Sequence, residues 1–516
     1  MTATAPTDPV IDHSSLPSVA LTDRQLGDLE LLLSGAFAPL AGFMTSADAA
    51  SVTERATLAD GASFPVPVVL EVFAEVLDGD ADHVLLADPE GTPIAVLAVT
   101  ERSAGARPGT IRLAGPVTGH RAPEHGSFRR LMLTPEQARA ALGDGPVLAF
   151  ATRGPLGRRQ IGQLRRQAEQ LRARLLILPL VCGPAEVVRR PESLIRAVLA
   201  AAASLPADTL VVPVPLARRD EISGPSGAGP RNERELAVTA MVAAAYGASH
   251  LMVDAAGPGA GTTLPAPIPV IPAGDWAYDP RAEVWRPLSL IEAGTEIGDL
   301  SADQLGDMLD TGAPIPPWFA PDAVAAELRH ARPPRSSRGF VLFLTGLSGS
   351  GKSTIARDLR DLLAERSDRR VSLLDGDLVR SLLSAGLSFS RADRDLNVAR
   401  IGFVAAEIAK HGGIAICAPI APYAQARARV REMVSEVGDF LLIHIATPIE
   451  VCEQRDRKGL YAKARAGLIE QFTGVSDPYE EPDDAMLVLD TSVLSREQAT
   501  ESVLRMLVTG GWLAER

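Results

Sequence analysis

The segment 340–354, FVLFLTGLSGSGKST, contains the residues whose types and spacing indicate the clearest chemistry. Gly346 is followed by four residues and then by Gly351, Lys352 and Ser353, the spacing of a phosphate-binding loop at a strand-to-helix junction. Glycines let successive backbone N–H groups turn towards one phosphate, and a helix beginning at Lys352 adds its positive end. We expect Lys352 to reach the β- and γ-phosphates of a nucleoside triphosphate, and Ser353 to bind Mg²⁺. The alternative interpretation is a glycine-rich turn before a helix without a binding role, but such a turn would not explain why Lys352 and Ser353 follow Gly351.

Two carboxylates follow the next apolar strand, in the segment 371–380, VSLLDGDLVR. We expect this strand to deliver Asp375 and Asp377 to the same edge of a sheet as the phosphate-binding loop. Carboxylates there can hold Mg²⁺ through water or accept a proton from an attacking hydroxyl. Asp377 could instead be a helix N-cap, and Asp375 a solvated turn residue. With the phosphate loop present, we favour a catalytic role for at least one of them.

Two basic segments come later in the chain. In the segment 389–400, FSRADRDLNVAR, the residues Arg394, Asn397 and Arg400 are three apart and share one helical face. Alone, this pattern is typical of a solvated basic stripe. The segment 452–474 is rich in Arg and Lys, which suits a mobile lid that closes over phosphates and excludes water.

The elements that position these residues are predicted from periodicity. A Pro/Arg/Ser-rich linker at 331–339 marks a domain boundary, and apolar strands then alternate with helices, which indicates a parallel sheet covered on both faces. The predicted strands are Phe340–Thr345, Val371–Leu374, Ile414–Ala418, Phe440–Ala446 and Met486–Leu489. The predicted helices are Ser353–Glu365, Leu378–Ala385, Arg394–Lys410, Gln425–Glu436, Ile449–Arg455 and Arg496–Leu507.

Three further regions precede the linker. Residues 1–140 contain extended patches, such as Phe64–Leu77 and His83–Ala87, and predict a mostly β domain. Residues 141–275 form a second α/β unit with apolar runs at Val147–Ala151, Leu175–Val181, Thr209–Val214 and His250–Val253, and a long loop at Ala255–Ala273. Residues 276–330 read as a small appended subdomain, and residues 340–516 as the last domain.

Composition limits the class of partner. The formal charge of −13 argues against nucleic-acid binding, and no apolar run of about 18 residues predicts a membrane span. The first residues lack the basic and apolar regions of a signal peptide, and the three cysteines have no metal-ligand spacing. We therefore expect a cytoplasmic protein without nucleic-acid or membrane partners.

The motifs from the phosphate loop onward resemble the adenylyl-sulfate kinase family over about residues 338–492; they include API-x-PY, KGLY-x-KARAG and FTG-x-x-DPYE. The resemblance implies transfer of the ATP γ-phosphate to the 3′-hydroxyl of adenylyl sulfate, with Mg²⁺ at Ser353 and with Lys352, Asp375 and Asp377 as catalytic residues. The residues expected to bind ATP phosphates are Gly346, Ser348, Gly349, Ser350, Gly351, Lys352, Ser353, Thr354, Arg455 and Lys458. Those expected to bind adenylyl sulfate are Asp377, Arg380, Phe389, Arg394, Asn397, Arg400, Lys458 and Phe472.

Two positions depart from that family. Ala421 stands where many members have a serine before the Pro-Tyr pair, so no covalent phosphoserine can form at this position. Ala399 stands where an arginine commonly precedes Arg400, and one substrate contact is expected to be weaker.

The segments 21–44, 58–69 and 175–183 resemble ATP sulfurylase, and the likeness weakens towards residue 325. The resemblance implies a multidomain α/β fold: a PUA-like β-rich domain, a Rossmann-like nucleotidyltransferase domain and a C-terminal P-loop kinase with a parallel sheet. In that family a Q-T-R-N-P-x-H-x-x-H motif binds polyphosphate, whereas residues 151–160 read ATRGPLGRRQ and keep only Arg153 of the charged set. The motif G-R-D-H-A-G is matched only by residues 253–257, VDAAG.

We predict from these changes that the sulfurylase-like region is inactive. Gly157 and Gln160 replace the paired imidazoles that would stabilise charge on the leaving pyrophosphate. Arg158 and Arg159 are a partial substitute, but they point in different directions around a helix. The region would then serve as a dimerisation platform, a docking surface for a separate ATP sulfurylase, or a nucleotide sensor.

The leading hypothesis is thus an active adenylyl-sulfate kinase that binds ATP and adenylyl sulfate and forms a dimer or higher homo-oligomer. The alternatives are a bifunctional synthase in which both halves work, a non-catalytic nucleotide sensor, and a P-loop kinase for another small hydroxyl acceptor.

Overall fold

The structure, a computed structural model, describes residues 16–77, 81–121, 127–183, 187–188, 190–219, 230–254, 264–388, 390–456, 458–469 and 471–514. The chain divides into two compact units. The first contains Met1–Ala302 and Ile315–Leu328, and the second contains Asp303–Pro314 and Arg329–Arg516. Within the described ranges, no helix is both long enough and apolar enough to cross a membrane.

The first unit begins with a β-rich domain. Its elements are β1 (Ser18–Ala20), α1 (Asp23–Leu33), β2 (Gly42–Phe43), α2 (Ser46–Arg55), β3 (Leu70–Phe73), β4 (His83–Ala87), β5 (Pro93–Ala98), β6 (Glu101–Ala104), β7 (Thr110–Gly119) and α3 (Pro135–Leu142). Seven strands form the sheet in the order β1-β4-β5-β7-β2, and β3 and β6 also pair with β7. Every pair except β1–β4 is antiparallel. Helix α1 starts at a capping box in which Thr22 and Gln25 bond each other's backbone N–H.

An α/β domain follows in the same unit. Its elements are β8 (Val147–Thr152), α4 (Arg158–Leu171), β9 (Arg174–Pro179), α5 (Pro191–Ala202), β10 (Leu210–Val211), α6 (Pro230–Ala245), β11 (His250–Val253) and β12 (Val270–Pro272). The sheet is parallel throughout, in the order β10-β9-β8-β11-β12. Buried Val, Leu and Ala from both domains form one continuous core.

Three sequence predictions for the first unit need correction. The extended patch 64–77 is a strand only at Leu70–Phe73 and then becomes a 3₁₀ turn at Ala74–Val76. The apolar run 209–214 is regular only at Leu210–Val211. The predicted loop 255–273 ends in strand β12, because Val270–Pro272 pairs with β11; residues 255–263 lie outside the described part.

The segment after β12 adds a hairpin, β13 (Trp276–Asp279) and β14 (Val284–Pro287), and the helices α7 (Ala302–Thr311) and α8 (Asp322–Ala331). Aromatic packing holds the hairpin. The Trp285 indole N–H donates to the Trp318 carbonyl at 2.6 Å, and Tyr278 stacks on Trp318 with 5.7 Å between ring centroids. All of these aromatic residues belong to the first unit.

The second unit contains a parallel five-stranded sheet. Its elements are β15 (Phe340–Thr345), α9 (Lys352–Arg366), β16 (Val371–Leu374), α10 (Gly376–Leu382), α11 (Arg391–Lys410), β17 (Ile414–Cys417), α12 (Ala424–Ser435), β18 (Asp439–Ile445), α13 (Ile449–Arg455), α14 (Leu460–Arg465), β19 (Leu487–Leu489) and α15 (Arg496–Thr509). The strand order is β16-β17-β15-β18-β19, with β15 central and all six of its residues buried. A separate apolar core covers each face, as expected of a buried parallel sheet.

From residue 340 onward the predicted elements agree with the observed ones to within a few residues, except that helix α14 was not predicted. Helix α14 has six residues and starts at Gly459, which has a φ of 66°. Its sequence, LYAKAR, is too short for a clear apolar period.

The linker at 331–339 contains ordered ion pairs that its composition did not indicate. We call Arg332, Arg335 and Arg338 the linker arginine cluster. Arg332 donates to the Asp310 carboxylate at 2.7 and 2.9 Å, and Arg335 approaches it at 3.1 Å. Arg338 joins Asp310 at 2.5 Å to Asp439 at 3.1 Å. Helix α7 is thereby attached to the sheet of the second unit.

Replacing Asp310 with asparagine should destabilise the second unit by roughly 3–5 kcal/mol, because Arg338 would remain buried without its full counter-charge. Burial would raise the pKa of Asp310, but the hydrogen bonds from Arg332 and Arg338 lower it far below the usual value. This stabilisation is therefore complete above about pH 4 and is lost as the pH falls towards the folded-state pKa. Calorimetric unfolding of the full chain measures the effect.

The matched control is Asp307→Asn, since Asp307 lies on the same helix and is exposed. Equal unfolding midpoints for the two variants would contradict a stabilising role for the linker arginine cluster.

Candidate active site

The phosphate-binding loop has the backbone conformation that its glycines predict. Gly346, Gly349 and Gly351 have φ angles of 147°, 78° and 104°, which side-chain-bearing residues rarely adopt. A Cβ on Gly346 would lie 2.4 Å from the Ile445 carbonyl oxygen. Helix α9 begins at Lys352 without a side-chain cap, so its first N–H groups face the loop.

Lys352 is held inside this loop. Its side chain is buried, and the Nζ donates to the Leu347 carbonyl at 2.7 Å and to the Ser350 hydroxyl at 3.4 Å. The attraction between an ammonium group and an anion is stronger at a buried position than in bulk water. Ser353, the predicted Mg²⁺ ligand, lies half-buried one residue further along the helix.

The carbonyl groups of Ser348 and Ser350 in the phosphate-binding loop accept hydrogen bonds from threonine hydroxyls and from the predicted lid. The hydroxyls of Thr447 and Thr491 both donate to the Ser350 carbonyl, at 3.1 and 2.8 Å. Arg455, predicted to bind ATP phosphates, donates to the Thr491 hydroxyl and carbonyl, both at 2.7 Å. Tyr461 was not predicted as a site residue, yet its hydroxyl donates to the Ser348 carbonyl at 2.9 Å. Lys458 is exposed.

The acidic pair lies where the sequence places it, after strand β16. Asp375 is half-buried and lies 3.9 Å from the Arg357 guanidinium. Helix α10 starts at Gly376, so Asp377 is inside its first turn and is not the N-cap considered above. The side chain of Asp377 lies outside the described part, and its catalytic role stays a prediction.

The predicted acceptor residues on helix α11 are close to two motifs from later in the chain. Arg394 Nη1 donates to the Thr473 hydroxyl at 2.8 Å and to Asp477 at 2.9 Å. The Asn397 side chain is buried, and its Oδ1 has no hydrogen-bond partner among the described residues. Buried polar groups of this kind are normally bonded, which indicates room for a ligand.

Other predicted acceptor residues have different surroundings. Arg380 donates to the carbonyls of Leu387, at 3.1 Å, and Ser388. Arg400 donates to the Leu383 carbonyl at 2.7 Å. Phe389 lies outside the described residues. Phe472 is buried edge-on against Tyr461, at 5.0 Å between ring centroids, within the segment 452–474 that was predicted to be a lid; its binding of adenylyl sulfate stays a prediction.

Sequence reasoning gave no role to Tyr423, Thr473 or Asp477, although all three stand in the motifs API-x-PY and FTG-x-x-DPYE. The Tyr423 hydroxyl donates to both Asp477 carboxylate oxygens at 2.9 Å. Arg391 and Arg394 lie over the Tyr423 ring, 4.2 and 5.3 Å from its centroid. These residues stand in motifs that the sequence shows, but their pairing joins positions 54 and 83 residues apart, which no local pattern indicates.

In the first unit, the altered sulfurylase motif is engaged by the protein's own groups. Arg153 is buried, and its guanidinium donates to the carbonyls of Cys182 and Leu216 at 3.0 and 2.9 Å. Arg158 turns away from Arg159, as predicted from helical geometry, and donates from Nε to the Pro317 carbonyl at 2.7 Å. The backbone N–H of Arg158, at the start of α4, donates to the Phe319 carbonyl at 2.7 Å.

Arg159 lies between two carboxylates. It donates to both oxygens of Asp254, at 2.6 and 2.7 Å, and to Asp299 at 2.5 Å. Burial would lower the pKa of Arg159, but these bonds raise it, so the cation is fully charged and fully countered. Gln160 also donates to Asp254 at 3.0 Å. The Asp254 carboxylate thus lies beside the start of α4, in the segment that corresponds to the polyphosphate-binding motif of the ATP sulfurylase family.

Comparison with known proteins supports both resemblances. Family models match a PUA-like domain at residues 5–112, ATP-sulfurylase at 129–331 and adenylylsulphate kinase at 338–490, which confirms the predicted fold class. A sulfate adenylyltransferase from Mycosarcoma maydis is 38% identical, over 96% of this chain and 94% of that protein. One from Phaeosphaeria nodorum is 36% identical, over 98% and 95%. A solved structure described as a hexameric APS kinase from Thiobacillus denitrificans is 35% identical, with a TM-score of 0.72 over 97% of this chain and 94% of that one.

Proposed function

The chain belongs to the sulfate adenylyltransferase family, in a form with an adenylylsulphate kinase domain at residues 338–490, and we propose that this kinase domain is its working catalytic half. The protein is a phosphotransferase enzyme that uses ATP and Mg²⁺. The proposed reaction transfers the γ-phosphate of ATP to the 3′-hydroxyl of adenylyl sulfate, giving 3′-phosphoadenylyl sulfate and ADP.

One observation carries this proposal: the same sheet supports a complete phosphate-binding loop and a buried, incompletely bonded polar pair on α11. Lys352 supplies the cation for the donor phosphates, and Arg394 and Asn397 supply polar groups for an acceptor. The Ser353 hydroxyl and the Asp375 carboxylate are the oxygen donors that Mg²⁺ prefers. The ion would neutralise charge on the β- and γ-phosphates when bound.

The residues of this chain fit a direct, in-line transfer. Lys352 would exchange the Leu347 carbonyl for phosphate oxygens and stay close to the migrating group. Asp377 or Asp375 would accept the proton of the attacking hydroxyl. Ala421 has no hydroxyl to carry a phosphoryl group, so no covalent intermediate forms there. Arg455 and Tyr461 link the lid to the loop and would limit water access on closure.

The direct test is ADP formation by the purified protein with ATP and Mg²⁺, with and without adenylyl sulfate. We expect rapid ADP formation only when adenylyl sulfate is present. Binding of adenylyl sulfate without turnover would favour the nucleotide-sensor alternative. Turnover with another small alcohol, but not with adenylyl sulfate, would favour a different P-loop kinase.

We propose further that the sulfurylase-like domain is inactive as a sulfurylase. The support is chemical. Arg153 is committed to backbone carbonyls, and Arg159 is countered by Asp254 and Asp299. A polyphosphate at this place would have to displace a carboxylate, and the imidazoles that stabilise the leaving group are absent. The alternative is a bifunctional enzyme in which both halves are active. It is supported by the names of the relatives, which are sulfate adenylyltransferases.

A pyrophosphate-release assay with ATP, Mg²⁺ and inorganic sulfate separates these two proposals. We expect no sulfate-dependent pyrophosphate above the background hydrolysis of ATP, and no change in Arg153→Ala. Sulfate-dependent release that is lost in Arg153→Ala or Arg159→Gln would overturn the inactive assignment. The Mycosarcoma maydis protein is a suitable positive control, since it is named for this activity.

We also propose that the protein is a homo-oligomer. The structural relative from Thiobacillus denitrificans, described as hexameric, aligns over nearly the whole chain. Light scattering on the full chain measures the mass, and a monomer at micromolar concentration would contradict the proposal. Coupling to a separate ATP sulfurylase remains a further proposal for the first unit.

A further inference from the structure

Arg394 is bonded along only one side of its guanidinium. Its Nη1 donates to Thr473 and Asp477, whereas Nε and Nη2 are buried and have no hydrogen-bond partner in the described part of the chain. In a planar guanidinium, Nε–H and Nη2–H lie along one edge and can donate to two oxygens of the same phosphate or sulfate. The open edge is therefore the one suited to an oxyanion.

The position of Asp477 is fixed by Tyr423, which does not occupy the open Nε–Nη2 edge of Arg394. The Tyr423 hydroxyl bonds both of its carboxylate oxygens, and the Tyr423 ring is buried beneath Arg391 and Arg394. Burial and the bond to Asp477 raise the pKa of Tyr423, so the phenol remains a donor at neutral pH. The Asp477 carbonyl also accepts the Gly474 N–H at 2.7 Å.

We propose that Asp477 and Tyr423 are positioning residues for the acceptor substrate: they hold Nη1 of Arg394 so that its Nε–Nη2 edge binds an oxyanion of adenylyl sulfate. This proposal rests on the proposed kinase function. Asp477 itself does not touch the substrate. A nearby carboxylate would ordinarily weaken anion binding, but here it bonds Nη1 and fixes the orientation of the open edge.

The test compares Asp477→Asn and Tyr423→Phe with the unaltered enzyme in steady-state kinetics. We expect the KM for adenylyl sulfate to rise about 10-fold in each variant, which corresponds to about 1.4 kcal/mol. The KM for ATP should change less than about twofold, because the phosphate loop is untouched. The matched control is Asp484→Asn, a half-exposed carboxylate that pairs with Arg431 at 2.5 Å. It should leave both KM values unchanged.

A double-mutant cycle separates positioning from general destabilisation. In an Arg394→Ala background, Asp477→Asn should cause no further rise in KM, because there is no longer a guanidinium to hold. Equal effects in both backgrounds would overturn the proposal. A lower KM in Asp477→Asn would also overturn it, since the carboxylate would then act only by repulsion. If Asp477→Asn fails to fold, Tyr423→Phe decides the question by the same criteria.

Failure of this proposal is distinguishable from failure of the kinase function. The unaltered enzyme tests the function, through ADP formation that depends on adenylyl sulfate. Calorimetric titration with adenylyl sulfate tests positioning even without turnover, because Tyr423→Phe should weaken binding about 10-fold. Unchanged affinity in that titration would contradict the positioning role.

Discussion

Replacing Lys352 with alanine will reduce adenylyl-sulfate-dependent ADP formation by at least about 100- to 1,000-fold. The residue is buried at the start of α9, where its ammonium already bonds the Leu347 carbonyl within the phosphate loop. Alanine leaves the backbone N–H groups in place but removes the only side-chain cation that this loop contributes. Charge developing on the transferred phosphoryl group would then be neutralised by Mg²⁺ and N–H groups alone.

The measured quantity is kcat/KM for ATP, and the rate is monitored through a coupled assay that detects ADP. Lys410→Ala is the control, because Lys410 lies at the end of α11 and pairs on the surface with Glu407 at 3.2 Å. Its kinetics should match those of the unaltered enzyme. Retention of more than about a tenth of the activity in Lys352→Ala would place the donor phosphate elsewhere.

Replacing Asp377 with asparagine will lower kcat by about 100-fold or more and leave nucleotide affinity nearly unchanged. A general base typically contributes 10²–10⁴ to the rate, and asparagine cannot accept the proton of the 3′-hydroxyl. Its amide keeps the size and most hydrogen bonds of the carboxylate, so binding should survive. The loss therefore appears in kcat and in kcat/KM together.

Asp375→Asn is the comparison that assigns the roles. Asp375 directly follows strand β16 and lies 3.9 Å from the Arg357 guanidinium, and we propose that its carboxylate holds Mg²⁺ through water. We expect this variant to need more Mg²⁺ for half-maximal activity, whereas Asp377→Asn should not. A small loss in Asp377→Asn with a large loss in Asp375→Asn would reverse the assignment.

Sequence reasoning succeeded where the signal was local. The strand β15 and helix α9 were predicted to within a residue, because an apolar run followed by a glycine loop leaves few other conformations. The domain families were identifiable for the same reason, through short motifs quoted from contiguous segments. In these places each residue's conformation depends mainly on its neighbours in the chain.

It failed where the interaction partners are distant in sequence. Asp477 bonds Arg394 across 83 positions, and Arg338 bonds Asp439 across 101. Periodicity in the sequence does not indicate such pairings. Asp477 was therefore given no role, and Arg338 was assigned only to the linker at 331–339. Phe472 packs edge-on against Tyr461, a contact that composition did not indicate, and its predicted role in binding adenylyl sulfate stays a prediction.

The division of the chain into units has a consequence for how it can be taken apart. Residues 303–314 belong with the second unit, and residues 315–328 belong with the first, so neither unit is a single uninterrupted stretch. A single proteolytic cut between residues 302 and 329 therefore cannot release both units complete, because at least one fragment loses a segment of its own unit. A gene fragment starting at the phosphate loop would likewise encode a sheet whose Asp439 has lost Arg338 as its counter-ion.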